Sequence, residues 1–308
     1  MTRAEAQRTL ADRLGSATEA RWMVDHVVGA GPSGAPVGDA GWATLDSLAD
    51  RRLTGEPLQY VLGRWAFRHL DLRVDRRALI PRPETEQVVE VALAELRRLA
   101  ARRQLVGRSA TGAGGPDGGT SDGGTSEWEG PVVVDLGTGT GAIALSVATE
   151  TDARVWAADA DPDALALAAS NLDEVAADRP DVAGRVSLVA GRWFDALPCE
   201  LRGHVDLVVS NPPYVAAGEW DGLDPEVRRE PRQALVAADG TDGTPGLADV
   251  EAVLRGSVGW LARPGAVVVE LDPRQAAPAA AMAEAVGFGD VRIERDLAGR
   301  DRAVVGRV

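Results

Sequence analysis

From Pro131 onward the chain repeats one pattern: a short apolar run, a turn, then a longer stretch with helical spacing. The runs at 132–136, 154–159, 185–190, 205–210 and 266–271 are apolar through most of their length. Such runs suit strands covered on both faces. Helices are predicted at about 141–150, 162–177, 246–262 and 275–286. Strand–helix alternation of this kind builds a doubly wound α/β fold with a mostly parallel sheet. Two further strands, at 291–295 and 302–308, are read as an antiparallel edge, which brings the sheet to seven strands.

The fourth run ends in Asn211-Pro212-Pro213-Tyr214. Neither proline has a backbone N–H, so the chain must leave the sheet in a stiff turn at Asn211. That turn offers a side-chain amide, the free carbonyl of Pro212 and the ring of Tyr214 at the carboxyl edge of a strand. Two acceptors and a ring suit a planar NH2-bearing group. An ordinary proline turn is the plainer alternative for the tetrapeptide alone.

The first run opens into Asp135-Leu136-Gly137-Thr138-Gly139-Thr140-Gly141. Glycines let a backbone turn tightly and approach a ligand. The spacing is G-x-G-x-G, unlike the G-x-G-x-x-G of dinucleotide sites. The next strand ends at Asp159, close to the spacing at which a carboxylate meets ribose hydroxyls. A nicotinamide dinucleotide remains a competing ligand on these features. Trp193, after the third run, is a candidate for packing on an adenine ring, or else an ordinary core aromatic. Asp161 reads as a helix cap.

Upstream, residues 1–63 read as a small helical domain carrying Leu10, Leu14, Trp22, Leu45 and Leu48. Residues 64–80 read as a β-hairpin linker turning at Arg68-His69. Pro83, Glu84 and Glu86 suit the first turn of a helix that runs to about Leu105. The tract 107–130 is rich in Gly, Ser, Thr and Asp and reads as a mobile linker or surface insertion within a domain spanning 81–308.

Composition narrows the partners. A single cysteine, Cys199, excludes a disulfide framework, and three scattered histidines offer no metal cluster. The formal charge of −14 disfavours direct nucleic-acid binding, which needs clustered cations. All 33 basic residues are arginine, a coding bias without functional meaning. No apolar stretch matches a membrane span or a signal core, so the expectation is a cytoplasmic protein.

Several segments together resemble the HemK/PrmC family, the peptide chain release factor N5-glutamine methyltransferases. They are Gly55-Glu56-Pro57-Leu58-Gln59-Tyr60-Val61-Leu62-Gly63, Ile80-Pro81-Arg82-Pro83-Glu84-Thr85-Glu86, residues 135–142, residues 210–215, Glu230-Pro231, and Asp296-Leu297-Ala298-Gly299-Arg300-Asp301-Arg302. The resemblance covers nearly the whole chain, more loosely over 1–50. It implies a Rossmann-like class I fold and S-adenosylmethionine as cofactor, with S-adenosylhomocysteine as product. Asp135, Gly137, Thr138, Gly139, Thr140, Gly141, Asp159, Trp193 and Asn211 would hold the cofactor. Asn211, Pro212, Pro213 and Tyr214 would hold the glutamine of a release factor's Gly-Gly-Gln loop, with Asn211, Pro212 and Tyr214 acting in catalysis. The helical domain would dock the protein substrate.

The insertion at 107–130 departs from the family pattern. So does Glu270-Leu271-Asp272-Pro273-Arg274-Gln275, where the family has small residues after the glutamate. Glu219, Asp221, Asp224 and Glu226 read either as a solvated loop face or as a surface for a basic partner. Alternative activities are glutamine methylation of a ribosomal protein and adenine-N6 methylation of nucleic acid, which shares the Asn-Pro-Pro-Tyr turn. A non-catalytic adaptor retaining the fold is a further alternative.

Overall fold

The structure, a computed structural model, describes residues 1–111 and 130–308. Most of the predicted glycine-rich insertion lies outside the described residues. Four helices come first: α1 (Arg3–Leu14), α2 (Ala17–Val28), α3 (Asp39–Leu53) and α4 (Leu58–Leu62). Thr2 and Glu5 close a capping box at the start of α1, and Ser16 caps α2. Ala6, Leu10, Ala20, Met23, Val24 and Leu45 bury one face of each of α1, α2 and α3 against the others. A hairpin of β1 (Arg64–Phe67) and β2 (Leu70–Arg73) follows. Helix α5 (Pro83–Thr111) begins at the predicted proline but continues past the expected end near 105.

The remainder alternates as predicted. The elements are β3 (Val132–Leu136), α6 (Ala142–Glu150), β4 (Arg154–Asp159), α7 (Pro162–Asp178), α8 (Pro180–Ala183) and β5 (Val186–Ala190). Then come β6 (Val205–Ser210), β7 (Val215–Ala216), β8 (Val236–Ala237), α9 (Ala248–Ser257), β9 (Leu261–Glu270), α10 (Ala276–Val286), β10 (Asp290–Arg295) and β11 (Asp301–Arg307). The seven-stranded sheet has the order β10-β11-β9-β6-β3-β4-β5. Strands β5, β4, β3, β6 and β9 run parallel, while β11 is antiparallel to β9 and to β10.

Side chains on these strands alternate between two apolar layers even though both faces are covered. Val133, Leu207, Val209 and Val268 face α5 and α6, whereas Val132, Val134, Val208 and Val267 face α9 and α10. The chain leaves β3 toward β4 and β5, then returns to β6 on the other side of β3. Strand order therefore reverses between β3 and β6, and a crevice opens outside their carboxyl ends. Register sets the two exits side by side: Leu136 pairs with Ser210, and the Ser210 hydroxyl donates to the Leu136 carbonyl at 2.7 Å.

Candidate active site

The loop after β3 is held open by its own backbone. The N–H groups of Gly137 and Thr138 both donate to the Ala158 carbonyl, at 2.9 and 3.0 Å. Gly139 N–H donates to Asp159 Oδ2 at 2.9 Å, and Asp161 N–H donates to Asp159 Oδ1 at 2.9 Å. Gly137 has φ of 73°, in the left-handed region where a side chain is strained, and a Cβ there would lie 3.5 Å from the Trp193 ring. Trp193 itself sits at φ 49°, a conformation uncommon for a bulky residue and concentrated at functional sites. Its indole Nε1 is buried with no hydrogen-bond partner among the described residues.

A cavity of about 550 Å3 opens over this loop. Gly137, Thr138, Gly139, Thr140, Asp159, Trp193, Asn211 and Pro213 all border it, so the glycine loop and the proline turn share one wall. Arg77–Pro81, from the segment before α5, and Pro231, Gln233 and Ala234, from the segment before β8, also line it. Glu230 ties these two segments together: it accepts from Ile80 N–H at 2.9 Å and pairs with the Arg82 guanidinium. Burial raises its pKa. At the rim, Gln233 Nε2 donates to Asp161 Oδ2 at 2.6 Å, and Asp161 caps α7 as expected.

Asp135, Gly141, Pro212 and Tyr214 do not border the cavity. Asp135 lies behind the glycine loop, wholly buried; its Oδ2 accepts from the Thr138 hydroxyl at 2.6 Å and from Ala144 N–H at 3.1 Å. Its Oδ1 has no partner among the described residues, and burial pushes the carboxyl up to about 7. Burial also raises the Asp159 pKa. Gly141 is the N-cap of α6. Tyr214 leads into β7; its hydroxyl points at Glu270 Oε1, 3.5 Å away, and its carbonyl accepts from Gln275 Nε2 at 3.0 Å. The unusual run after Glu270 thus supports the proline turn from behind.

Asn211 extends its Nδ2 to Thr85 Oγ1 at 3.1 Å, and Thr85 Oγ1 donates to Glu270 Oε2 at 2.7 Å. Sequence reasoning assigned no role to Thr85, Glu270 or Glu230. Thr85 and Glu230 lie in segments that carry the family resemblance, whereas Glu270 opens the run that departs from it, and nothing local distinguishes Thr85 from the helix-capping acids beside it. Three of the four acids after the turn are engaged within the chain: Glu219 pairs with Arg274 at 2.5 Å, Glu226 with Arg52 at 2.6 Å, and Asp224 Oδ1 accepts from Glu226 N–H at 2.8 Å.

Residues 2–63 match the family model of the PrmC N-terminal domain, and residues 126–225 match that of the methyltransferase small domain. The chain is 37% identical to the release factor glutamine methyltransferase of Bordetella pertussis, over 92% of this chain and 92% of that protein. It is 35% identical to the release factor glutamine methyltransferase of Deinococcus radiodurans, over 100% of this chain and 96% of that one. A third, from Cereibacter sphaeroides, is 32% identical over 100% and 99%. With the seven-stranded sheet, the glycine loop and the proline turn meeting at one cavity, these likenesses show that the chain belongs to the release factor glutamine methyltransferase family.

Proposed function

We propose that this protein transfers a methyl group from S-adenosylmethionine to the N5 side-chain amide of the glutamine in the Gly-Gly-Gln motif of peptide chain release factors. The reaction belongs to the cytoplasm, and no described helix is long and apolar enough to cross a membrane. The observation that carries the reading is the shared wall. Asn211 borders the same cavity as Gly137, Asp159 and Trp193, so an amide held at the turn would meet a group held on the loop.

The residues present fit the cofactor. The carboxylate of Asp159 stands at the end of β4 for ribose hydroxyls. The Trp193 ring, with its unpartnered Nε1, offers a face for adenine. The loop from Gly137 to Gly141 has no side chain at three of its five positions, which leaves room for an amino-acid moiety. Asp135 supports this loop from behind through Thr138. Bound there, S-adenosylmethionine would supply an electrophilic methyl on a sulfonium and leave as S-adenosylhomocysteine.

The protein's own task is to make a poor nucleophile react. An amide nitrogen's lone pair is delocalised, so positioning matters most. Asn211 Oδ1 and the Pro212 carbonyl accept the two N–H bonds of the substrate amide. Both acceptors also favour the positive charge that grows on nitrogen during attack. Pro213 keeps the turn stiff, and Tyr214, behind the turn rather than in the cavity wall, would pack beside the amide from that side and exclude water. The helical domain 1–63 docks the release factor, and the hairpin 64–80 joins it to the catalytic domain 81–308.

Mass spectrometry of a release factor incubated with enzyme and S-adenosylmethionine tests the reading. One methyl is expected on a wild-type Gly-Gly-Gln loop and none when Ala replaces the glutamine. Asn211→Ala is expected to lower kcat by about a hundredfold while cofactor Kd stays within about threefold. Intact cofactor binding without transfer to the release factor would sink the proposal.

A further inference from the structure

The two ends of an asparagine amide are nearly equal in size, so packing alone does not decide which end meets a ligand. Here a buried hydrogen-bond chain decides it. Glu270 closes β9 and is 1% exposed; Thr85 stands in the first turn of α5 and is 4% exposed. The Thr85 hydroxyl donates to Glu270 Oε2 at 2.7 Å, and when Glu270 is ionised it can only accept, so that hydrogen is committed to it. Only lone pairs remain on Thr85 Oγ1 for Asn211. The asparagine must therefore turn its NH2 end to Thr85, at 3.1 Å, which leaves Oδ1 as the end directed elsewhere.

Both supports are themselves fixed. Thr85 N–H donates to the Arg82 carbonyl at 3.1 Å, and Glu270 is paired in register with Ala303 of β11. Water has little access to any link of the chain between them. The second carboxylate oxygen faces the Tyr214 hydroxyl at 3.5 Å, so the same buried group also stands behind the aromatic member of the turn.

We propose that Thr85 and Glu270 are positioning residues of the methyl transfer, which hold Asn211 with its oxygen, not its nitrogen, toward the substrate amide. The inference rests on the function proposed above. With the amide reversed, two NH2 groups would face one another and the substrate nitrogen would lose an acceptor. Thr85 itself borders the cavity, but its hydrogen bonds run to Asn211 and Glu270, so the chain's effect is expected on turnover through Asn211.

Steady-state methylation of a release factor tests this in three single variants and one double variant. Thr85→Val removes the acceptor at constant shape; kcat is expected to fall about tenfold or more, with KM and cofactor Kd within about twofold. Thr85→Ser restores the hydroxyl and is expected to return kcat to within about threefold of wild type. Glu270→Leu frees the Thr85 hydrogen to swing toward Asn211, and a similar loss of kcat is expected. In an Asn211→Ala background, Thr85→Val should cost nothing more, because its effect passes through Asn211.

Wild-type kcat in Thr85→Val, failure of Ser to restore it, or an equal loss in the Asn211→Ala background would each overturn the proposal. Should Thr85→Val lose cofactor binding, Glu270→Leu reads the same chain from its far end, and wild-type kcat there is equally decisive against it. Absence of methylation by the wild-type enzyme would instead refute the underlying function.

Discussion

Asp135 and Glu270 are carboxyls without an exposed face, and burial pushes each up to about 7. Their pull on stability and on turnover runs in opposite directions. A folded-state pKa raised above its unfolded value means that the native protein holds more protons between the two, so stability is greatest on the acid side and is lost as pH rises toward about 7. Carboxylates paired to arginine, such as Glu56 and Glu90, are held below their ordinary range and change little in that window. Asp135→Asn cannot ionise, so between about pH 5 and pH 8 its urea midpoint should fall less steeply than that of wild type; parallel curves would contradict the assignment. Turnover should instead rise over the same range, because only ionised Glu270 is a pure acceptor for Thr85. Glu270 is faced by the hydroxyls of Thr85 and Tyr214 and by the charges of Arg302 and Glu84. Tyr214, its own pKa raised by burial, stays neutral throughout. If kcat of Glu270→Leu keeps the wild-type pH profile, the titrating group lies elsewhere.

Buried strands were legible because both faces are covered, so composition alone marks β3, β4 and β6. Other elements owe their limits to partners distant in sequence. Strand β9 starts at Leu261, several residues before the predicted 266, because Leu261 pairs with Val205 across a register shift that accommodates Arg263, Pro264 and Gly265. Helix α9 is correspondingly shorter than its apolar spacing suggested, ending at Ser257. The β7–β8 pair has no periodicity to read: two residues on each strand meet only through Val215–Val236 and Ala216–Ala237. Yet this pair anchors Tyr214, and Gly246 fits against it from the other side. Gly246 has φ of 68°, and a Cβ there would collide with the Tyr214 carbonyl and lie 2.9 Å from Ala216 N. Backbone cannot yield as a flexible side chain can, so Gly246→Ala should destabilise by about 2–4 kcal/mol and lower kcat by shifting Tyr214. Chemical denaturation and turnover, measured together, check this; a stable and fully active variant would show that β7 moves freely.

At the scale of the whole molecule, the motif residues that border the cavity could be found from spacing, while the residues that hold the cavity closed could not. Asn211 reaches Thr85 across 126 positions, and Thr85 reaches Glu270 across 185. Glu230 reaches Ile80 across 150. A lone Glu, Thr or Arg in a loop has many uses, and only folding selects which distant donor it meets. Glu230 is the clearest case, because one buried carboxylate joins the segment before α5 to the segment before β8, and both line the cavity. Arg52, bridging Glu19 and Glu226, and Arg229, donating to the Thr54 carbonyl, extend the same fastening to the N-terminal helices. Glu230→Ala leaves the buried Ile80 N–H without its acceptor, at a cost of about 1–3 kcal/mol, and releases the partly exposed Arg82 guanidinium to solvent at little cost. Because that cost falls on the cavity wall, cofactor Kd should rise about tenfold or more, while kcat at saturating cofactor should change less than about threefold, since the Asn211–Thr85–Glu270 chain does not pass through Glu230. Calorimetric titration with S-adenosylhomocysteine separates the two effects. An unchanged Kd would mean that the two segments keep their places without Glu230; a kcat loss matching that of Thr85→Val would mean that the wall and the proline turn move as one body.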